Sequence, residues 1–266
     1  MPQKSEIMEK RSENRRFSGL INLYGSQGLS NLQTAHVVVI GIGGVGSWAV
    51  EALARNAIGH ITMIDMDVVS ESNINRQLPA LQSTLGMDKA QVLKSRIREI
   101  NPDCKVSIID DFVTVKNVQT TLPEKSDYVL DCIDNFRVKA AIIAHCRQNK
   151  ISVITVGGAG GQMDPLRIKQ MDLSRTEHDA LFAKTRKLLR QDYHFPRNPK
   201  RTFGIPCVYS DEQVIYSDGK GGLTKEKPEL NTSGLSCAGG LGSSMQVTSA
   251  FAMVAVARVV RDIVQI

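Results

Sequence analysis

The chain has 266 residues, 42% of them hydrophobic and 23% charged, enough apolar side chain for one large α/β domain and too much for a disordered chain. Its 33 Lys and Arg against 27 Asp and Glu leave a net charge of +6. That balance excludes a polyacidic tail and permits a nucleic acid partner without requiring one.

The elements are expected in the following order. Residues 1–34 read as a polar N-terminal helical arm without the apolar run of a signal peptide. HVVVI at 36–40 predicts a strand, and 46–57 a helix with Trp48, Leu53 and Ala57 on its apolar face. A strand at 61–65 and an amphipathic helix at 88–99 follow, the latter with Asp88 as its cap candidate. Then come strand 105–109, a short helix near 115–121, strand 127–131, helix 136–147 and strand 152–156. This alternation predicts a Rossmann-like, mostly parallel sheet with helices on both faces, its core at 35–165. Gly157, Gly158, Gly160 and Gly161 mark a tight turn, and 166–171 is a further strand candidate. Residues 172–204 form a basic insert, with a helix at roughly 177–191 and an exposed loop. The C-terminal part, 205–266, is expected to extend the single domain with antiparallel strands at 205–217, a mobile loop at 218–234 and a closing helix at 243–264.

Two features bear on location. Cys104, Cys132, Cys146, Cys207 and Cys237 form no CxxC pair, so zinc is not expected and the chain reads as reduced and cytoplasmic. No charge occurs from Leu230 to Ala257, but its strongly apolar part is short and runs into Arg258 and Arg261. It reads as a buried helix rather than a membrane span.

The strongest motif is VVVIGIGGVG, where Gly41, Gly43, Gly44 and Gly46 follow a strand and open a helix. Such a loop aims backbone N–H groups and the helix dipole at a phosphate, though alone it leaves NAD, FAD and ATP open. Asp65 ends the second strand, where a carboxylate accepts from ribose hydroxyls, and Asp67 follows as a second acid or a cap. Asn73, Arg76 and Gln77 share one face of a turn, Arg76 with a forked guanidinium for phosphate oxygens. Lys89 opens a helix as a flexible point charge, and Asp134 lies at the C-terminal rim of the sheet, suited to Mg²⁺ beside phosphates. This crowd of phosphate ligands suits ATP better than NAD.

GIGGVG, MIDMDVVSESNINRQ, GMDKA and DCIDN, in that order over about residues 15–165, resemble the ATP-binding signature of the ubiquitin-activating-type adenylyltransferases. That family includes the bacterial activators of sulfur-carrier proteins. The resemblance implies that Asp65 and Arg76 contact ribose and phosphates, and that Asn73, Gln77 and Lys89 line the triphosphate. It also implies that Asp134 engages Mg²⁺, with Asp67 and Asn135 completing the nucleotide site. The chain departs from the carrier activators in lacking their paired zinc cysteines. It also has Gly19 where they carry an arginine that reaches the partner subunit's site, with Arg16 nearby.

RRFSGLINLYG, TVGGAGGQMDP, RKLLRQDYHFPRNPK, GIPCVYSDE and LSCAGGLGSSM are similar to the bacterial tRNA threonylcarbamoyladenosine dehydratases, and with them the resemblance spans nearly the whole chain. It implies a homodimer linked to a cysteine desulfurase and its sulfur-acceptor protein. It further implies ATP-dependent cyclisation of threonylcarbamoyladenosine beside the tRNA anticodon. The threonyl carboxylate is adenylated, with Arg76, Lys89 and Asp134 offsetting phosphate charge, and the ring then closes intramolecularly. For the tRNA, Lys184, Arg186, Lys187, Arg190, Arg197, Lys200 and Arg201 are the phosphate-contact candidates, with Tyr193, His194 and Phe195 placed to stack on a base. Cys237 stays open between a packed residue and an acceptor of sulfur or acyl groups, and the Gly157–Gly161 turn stays open as a monovalent-cation site. The alternatives are a carrier-protein adenylyltransferase, an NAD-dependent oxidoreductase and a catalytically inactive scaffold.

Overall fold

The computed structural model describes residues 15–226 and 241–265. Its main sheet has seven strands in the order β3-β2-β1-β4-β5-β7-β6. β1 (His36–Ile40), β2 (His60–Ile64), β3 (Lys105–Ile109), β4 (Tyr128–Asp131) and β5 (Ser152–Val156) are all parallel. β7 (Pro206–Ser210) continues the parallel run beside β5, and β6 (Ile168–Asp172) pairs antiparallel on its outer side. The C-terminal antiparallel extension is therefore the β6–β7 pair plus a separate hairpin, β8 (Tyr216–Ser217) with β9 (Leu223–Thr224). β7 itself is parallel to the core. The strand order reverses between β1 and β4, and a crevice opens beyond their C-terminal ends, where ligands of such sheets bind.

The strand period of two divides the apolar residues into two layers. From β1, Val37 and Val39 enter one core, whereas Val38 and Ile40 enter the other. α2 (Gly46–Arg55), α3 (Lys89–Ile100) and α7 (Met245–Val264) cover the first face. α4 (Val118–Thr121), α5 (Phe136–Gln148) and α6 (Ala180–Asp192) cover the second. α7 buries Val247, Phe251, Ala255 and Val259 at helical spacing against the sheet. Truncating the fully buried Phe251 to alanine would cost about 3–5 kcal/mol. No helix among the described residues is long and apolar enough to cross a membrane.

Several element ends differ from the sequence reading. α2 stops at Arg55, because Ala57 turns into the left-handed region at φ 59° while staying buried. Asp88 precedes α3 but makes no side-chain cap; its extended backbone forms a bridge with Val68 instead. α1 (Ser18–Thr34) is kinked at Gly25, where φ is 73°. Just before it, Arg16 donates to the carbonyls of Glu99 and Ile100 at the end of α3, a favourable place for a cation. Cys237 lies outside the described residues.

Candidate functional site

The crevice at the switch point is a cavity of about 740 Å³, lined by the β1–α2 glycine loop, the ends of β2 and β4, and the turn after β5. Two of its glycines are demanded by backbone geometry. Gly41 has φ 78°, and a Cβ on Gly46 would stand 1.9 Å from the Gly41 carbonyl oxygen. Gly46 is thus a packing residue and does not line the cavity, whereas Gly43 and Gly44 do. Val45 caps α2 without any side-chain hydrogen bond, and in its first turn Ser47 N–H donates to Gly43 O at 3.1 Å.

Asp65 organises this loop. Its Oδ2 accepts from Ile42 N–H and its Oδ1 from Asp67 N–H, both at 2.8 Å. Burial raises its pKa above the ordinary carboxylate value, partly opposed by these two bonds and by Lys89. Lys89 is not the free point charge expected from the sequence. It is buried and pairs with Asp67 Oδ2 at 2.9 Å, which also gives Asp67 a partner rather than a capping role.

Arg76 is half-buried in the cavity wall, its Nη1 donating to Ser72 O at 2.7 Å and Asn75 Oδ1 at 2.9 Å. Among the described residues no carboxylate comes within ion-pair distance of it. Its carbonyl accepts from Trp48 Nε1 at 3.0 Å. Gln77 lines the cavity with a buried Oε1 that has no hydrogen-bond partner among the described residues. Asn73, by contrast, does not line the cavity, because its Oδ1 accepts from Ser70 N–H and closes the turn. Asp134 and Asn135 both reach the cavity, though Asn135 Oδ1 is occupied in capping α5 through Arg137 and Val138 N–H.

The opposite wall carries residues that the motif reading missed. Asp179 caps α6 through Phe182 N–H at 2.7 Å and also accepts from Gly158 N–H at 2.9 Å. A Cβ on Gly157 would meet its Oδ2 at 2.1 Å. Burial raises the pKa of Asp179, opposed by those N–H groups and by Lys139. An Asp directly before an amphipathic run was a readable capping signal. Gln162 buries an unpartnered Oε1 here while its Nε2 donates to Gly158 O, and His178 lines the cavity with φ 59°. Cys132 lines it as well, and burial, together with Asp131, pushes its thiol pKa far above the usual range.

The basic insert is only partly a surface. Lys184, Lys187, Arg197, Lys200 and Arg201 are exposed, as expected. Arg186 and Arg190 turn inward instead, Arg186 donating to Thr176 Oγ1 and Arg190 lying over the Phe203 ring. Burial, reinforced by Arg190, lowers the pKa of Arg186. Phe195 is buried against Phe203 and under Arg147, which removes it as a base-stacking platform; His194 remains exposed.

A glycine loop on a parallel sheet, with Asp65 and Arg76 on one cavity where the strand order reverses, defines a nucleotide-binding α/β protein. The ThiF family model matches residues 17–258, and the chain belongs to the ThiF family. It is 48% identical to the tRNA threonylcarbamoyladenosine dehydratase of Haemophilus influenzae, over 92% of each chain. The Escherichia coli protein of the same name is 46% identical, again over 92% of each. A solved structure of E. coli tRNA N6-threonylcarbamoyladenosine dehydratase in complex with ATP superposes with a TM-score of 0.83 at 44% identity, over 94% of both chains.

Proposed function

We propose that this chain carries out the ATP-dependent dehydration of threonylcarbamoyladenosine in tRNA, closing it to the cyclic form. The observation that carries the reading is the 740 Å³ cavity at the switch point, where Asp65, Arg76, Lys89 and Asp134 meet around the glycine loop. The unpartnered acceptors of Gln77 and Gln162 in its walls suit a ligand rich in hydrogen-bond donors.

The chain's residues divide the work. The glycine loop and the N-terminal end of α2 receive phosphate oxygens, and Asp65, already oriented by two backbone bonds, accepts from ribose hydroxyls. Arg76 is the cation available for the charge that builds as the threonyl carboxylate attacks the α-phosphorus and pyrophosphate leaves. Lys89, compensated by Asp67, adds its field from a fixed position. Asp134 offers a hard oxygen donor at the phosphate end of the cavity, the donor type that holds Mg²⁺ together with substrate phosphates. Bound there, Mg²⁺ would supply charge neutralisation for the departing pyrophosphate. The ureido group of the same nucleoside then displaces AMP, and no protein nucleophile is required.

Exposed Lys184, Lys187, Arg197, Lys200 and Arg201 form the tRNA phosphate contact in this reading, and the active species is a homodimer serving a cysteine desulfurase system. A monovalent cation at the Gly157–Gly161 turn belongs to the same proposal. The test is to incubate the protein with ATP, Mg²⁺ and tRNA bearing threonylcarbamoyladenosine, then weigh the digested nucleosides. ATP-dependent loss of one water, absent in Arg76→Ala, is the expected result. Pyrophosphate release only on adding a carrier protein with a Gly-Gly tail would sink the proposal and favour carrier activation.

A further inference from the structure

Below the cavity lies a polar unit that substrate does not reach. Lys139 on α5, Asp131 at the end of β4 and Thr155 on β5 are completely buried. Lys139 Nζ donates to Asp131 Oδ2 at 2.8 Å and to Thr155 Oγ1 at 2.9 Å, and Thr155 Oγ1 donates to Asp131 Oδ2 at 2.7 Å. Asp131 and Thr155 stand opposite each other in the β4–β5 register. A buried ion pair contributes little net stability, because desolvation offsets its attraction. Its placement says more.

The second oxygen of Asp131, Oδ1, accepts from Ile133 N–H at 3.2 Å and so pins the turn that leaves β4. On one side that turn abuts the glycine loop. Cys132 N–H donates to Ile40 O at 2.9 Å, and a Cβ on Gly41 would lie 3.0 Å from Ile133 Cγ2. On the other side the next residue is Asp134. Thr155 ties the same unit to β5, two residues before Gly157 and the Gly158 N–H that Asp179 holds. One buried ammonium therefore sits under both loops that frame the cavity.

We propose that Lys139 and Thr155 are positioning residues, acting through Asp131 to hold the Cys132–Asp134 turn and the Asp134 carboxylate in register with the phosphates of ATP. The inference rests on the reading of the cavity as an ATP site. Catalytic groups must be held to within about 0.5 Å, and the bond from Ile133 N–H contributes to that only if the accepting carboxylate is itself fixed. Lys139 and Thr155 supply that fixation from two different elements.

The test is ATP binding by the full chain with Mg²⁺ and without tRNA. Trp48, the single tryptophan, bonds to the Arg76 carbonyl and reports the site by its fluorescence. Asp131→Leu/Lys139→Met replaces the pair by apolar groups, a swap that buried ion pairs often tolerate, and abolishes the pin on Ile133. A thermal midpoint close to wild type with ATP affinity weakened about tenfold or more is expected, as for partners that orient a ligand from behind. Thr155→Val keeps the ion pair and the shape, and should weaken affinity in the same direction by about threefold, its midpoint little changed. Wild-type affinity in Thr155→Val together with wild-type affinity in a folded double variant would overturn the inference and leave the unit a purely structural element. If the double variant does not fold, Thr155→Val decides alone. Binding of ATP by the wild-type chain tests the ATP reading itself, whereas the ratio of variant to wild type tests the positioning.

Discussion

The two ends of the same strands are finished in opposite ways. Beyond the C-terminal ends, Gln77 and Gln162 bury unpartnered acceptors, Arg76 has no carboxylate among the described residues, and His178 adopts left-handed backbone. At the N-terminal ends, the strands' own polar side chains pair with one another, although Ser126 Oγ just before β4 is buried without a partner among the described residues. The His36 and His60 rings stack 3.7 Å apart, with His36 2.8 Å from Thr62 Oγ1 and His60 2.9 Å from Ser107 Oγ. Tyr128, the first residue of β4, donates to Asp262 Oδ2 on α7 at 2.9 Å. Open acceptors that face a cavity at the C-terminal ends suit a ligand, whereas the paired strand residues at the other ends serve stability.

This contrast can be broken by substitutions at either rim. Arg76→Ala should lower turnover by about 10²-fold or more, as removal of a charge-stabilising donor does, yet move stability by less than about 0.5 kcal/mol. Its protein partners lie in its own turn, so a large drop in the thermal midpoint would show that Arg76 serves the fold instead. Gly46→Ala should cost about 3 kcal/mol and abolish ATP binding, since its Cβ has no room beside the Gly41 carbonyl. Calorimetric unfolding checks the first part and fluorescence titration the second.

At the closed rim, Tyr128→Phe should cost about 1 kcal/mol of stability and leave kcat and KM for ATP unchanged. A change in kcat would mean that the rims are not independent. The smallest effect concerns pH. Burial, then His36 and Lys105, depress the pKa of His60 from 6.5 to about 4, and burial likewise lowers that of His36 despite Asp127 nearby. Between these values the unfolded chain binds more protons than the folded one, so this contribution is complete above about pH 6.5 and is lost as pH falls toward 4. The midpoint should therefore fall between neutral pH and about pH 5, less steeply in His60→Gln. An identical slope in that variant would remove the stacked pair as the cause.

How far the site could be read in advance varied with how local its causes were. Strands 36–40, 105–109 and 152–156 were placed to the residue, because β-branched runs between turn residues need only neighbours in sequence to be recognised. Gly41, Gly43, Gly44, Asp65, Arg76, Gln77, Lys89 and Asp134 were likewise legible as an ordered set, and all of these line the cavity, whereas Gly46 packs behind it. Asn73 was misplaced because its side chain closes its own turn, a competition between local and ligand hydrogen bonding that spacing does not resolve. Phe195, Arg186 and Arg190 were misread for a different reason. Composition marks a basic, aromatic stretch as surface, but the stretch packs on β6, β7 and α5, with Arg190 over the Phe203 ring and Arg186 bonded to Thr176.

The sequence by itself determined the alternation of strands and helices, the phosphate loop and the charge inventory around it, since each depends on residue type at short spacing. Only the tertiary structure decided that Lys89 is spoken for by Asp67, that Lys139 lies buried between Asp131 and Thr155, and that Asp179 grips Gly158. Those pairings join residues on different elements, from 8 to 22 positions apart. Their partners are chosen by strand order and burial, because a charge removed from water must find an opposite charge or a donor wherever the fold brings one within reach.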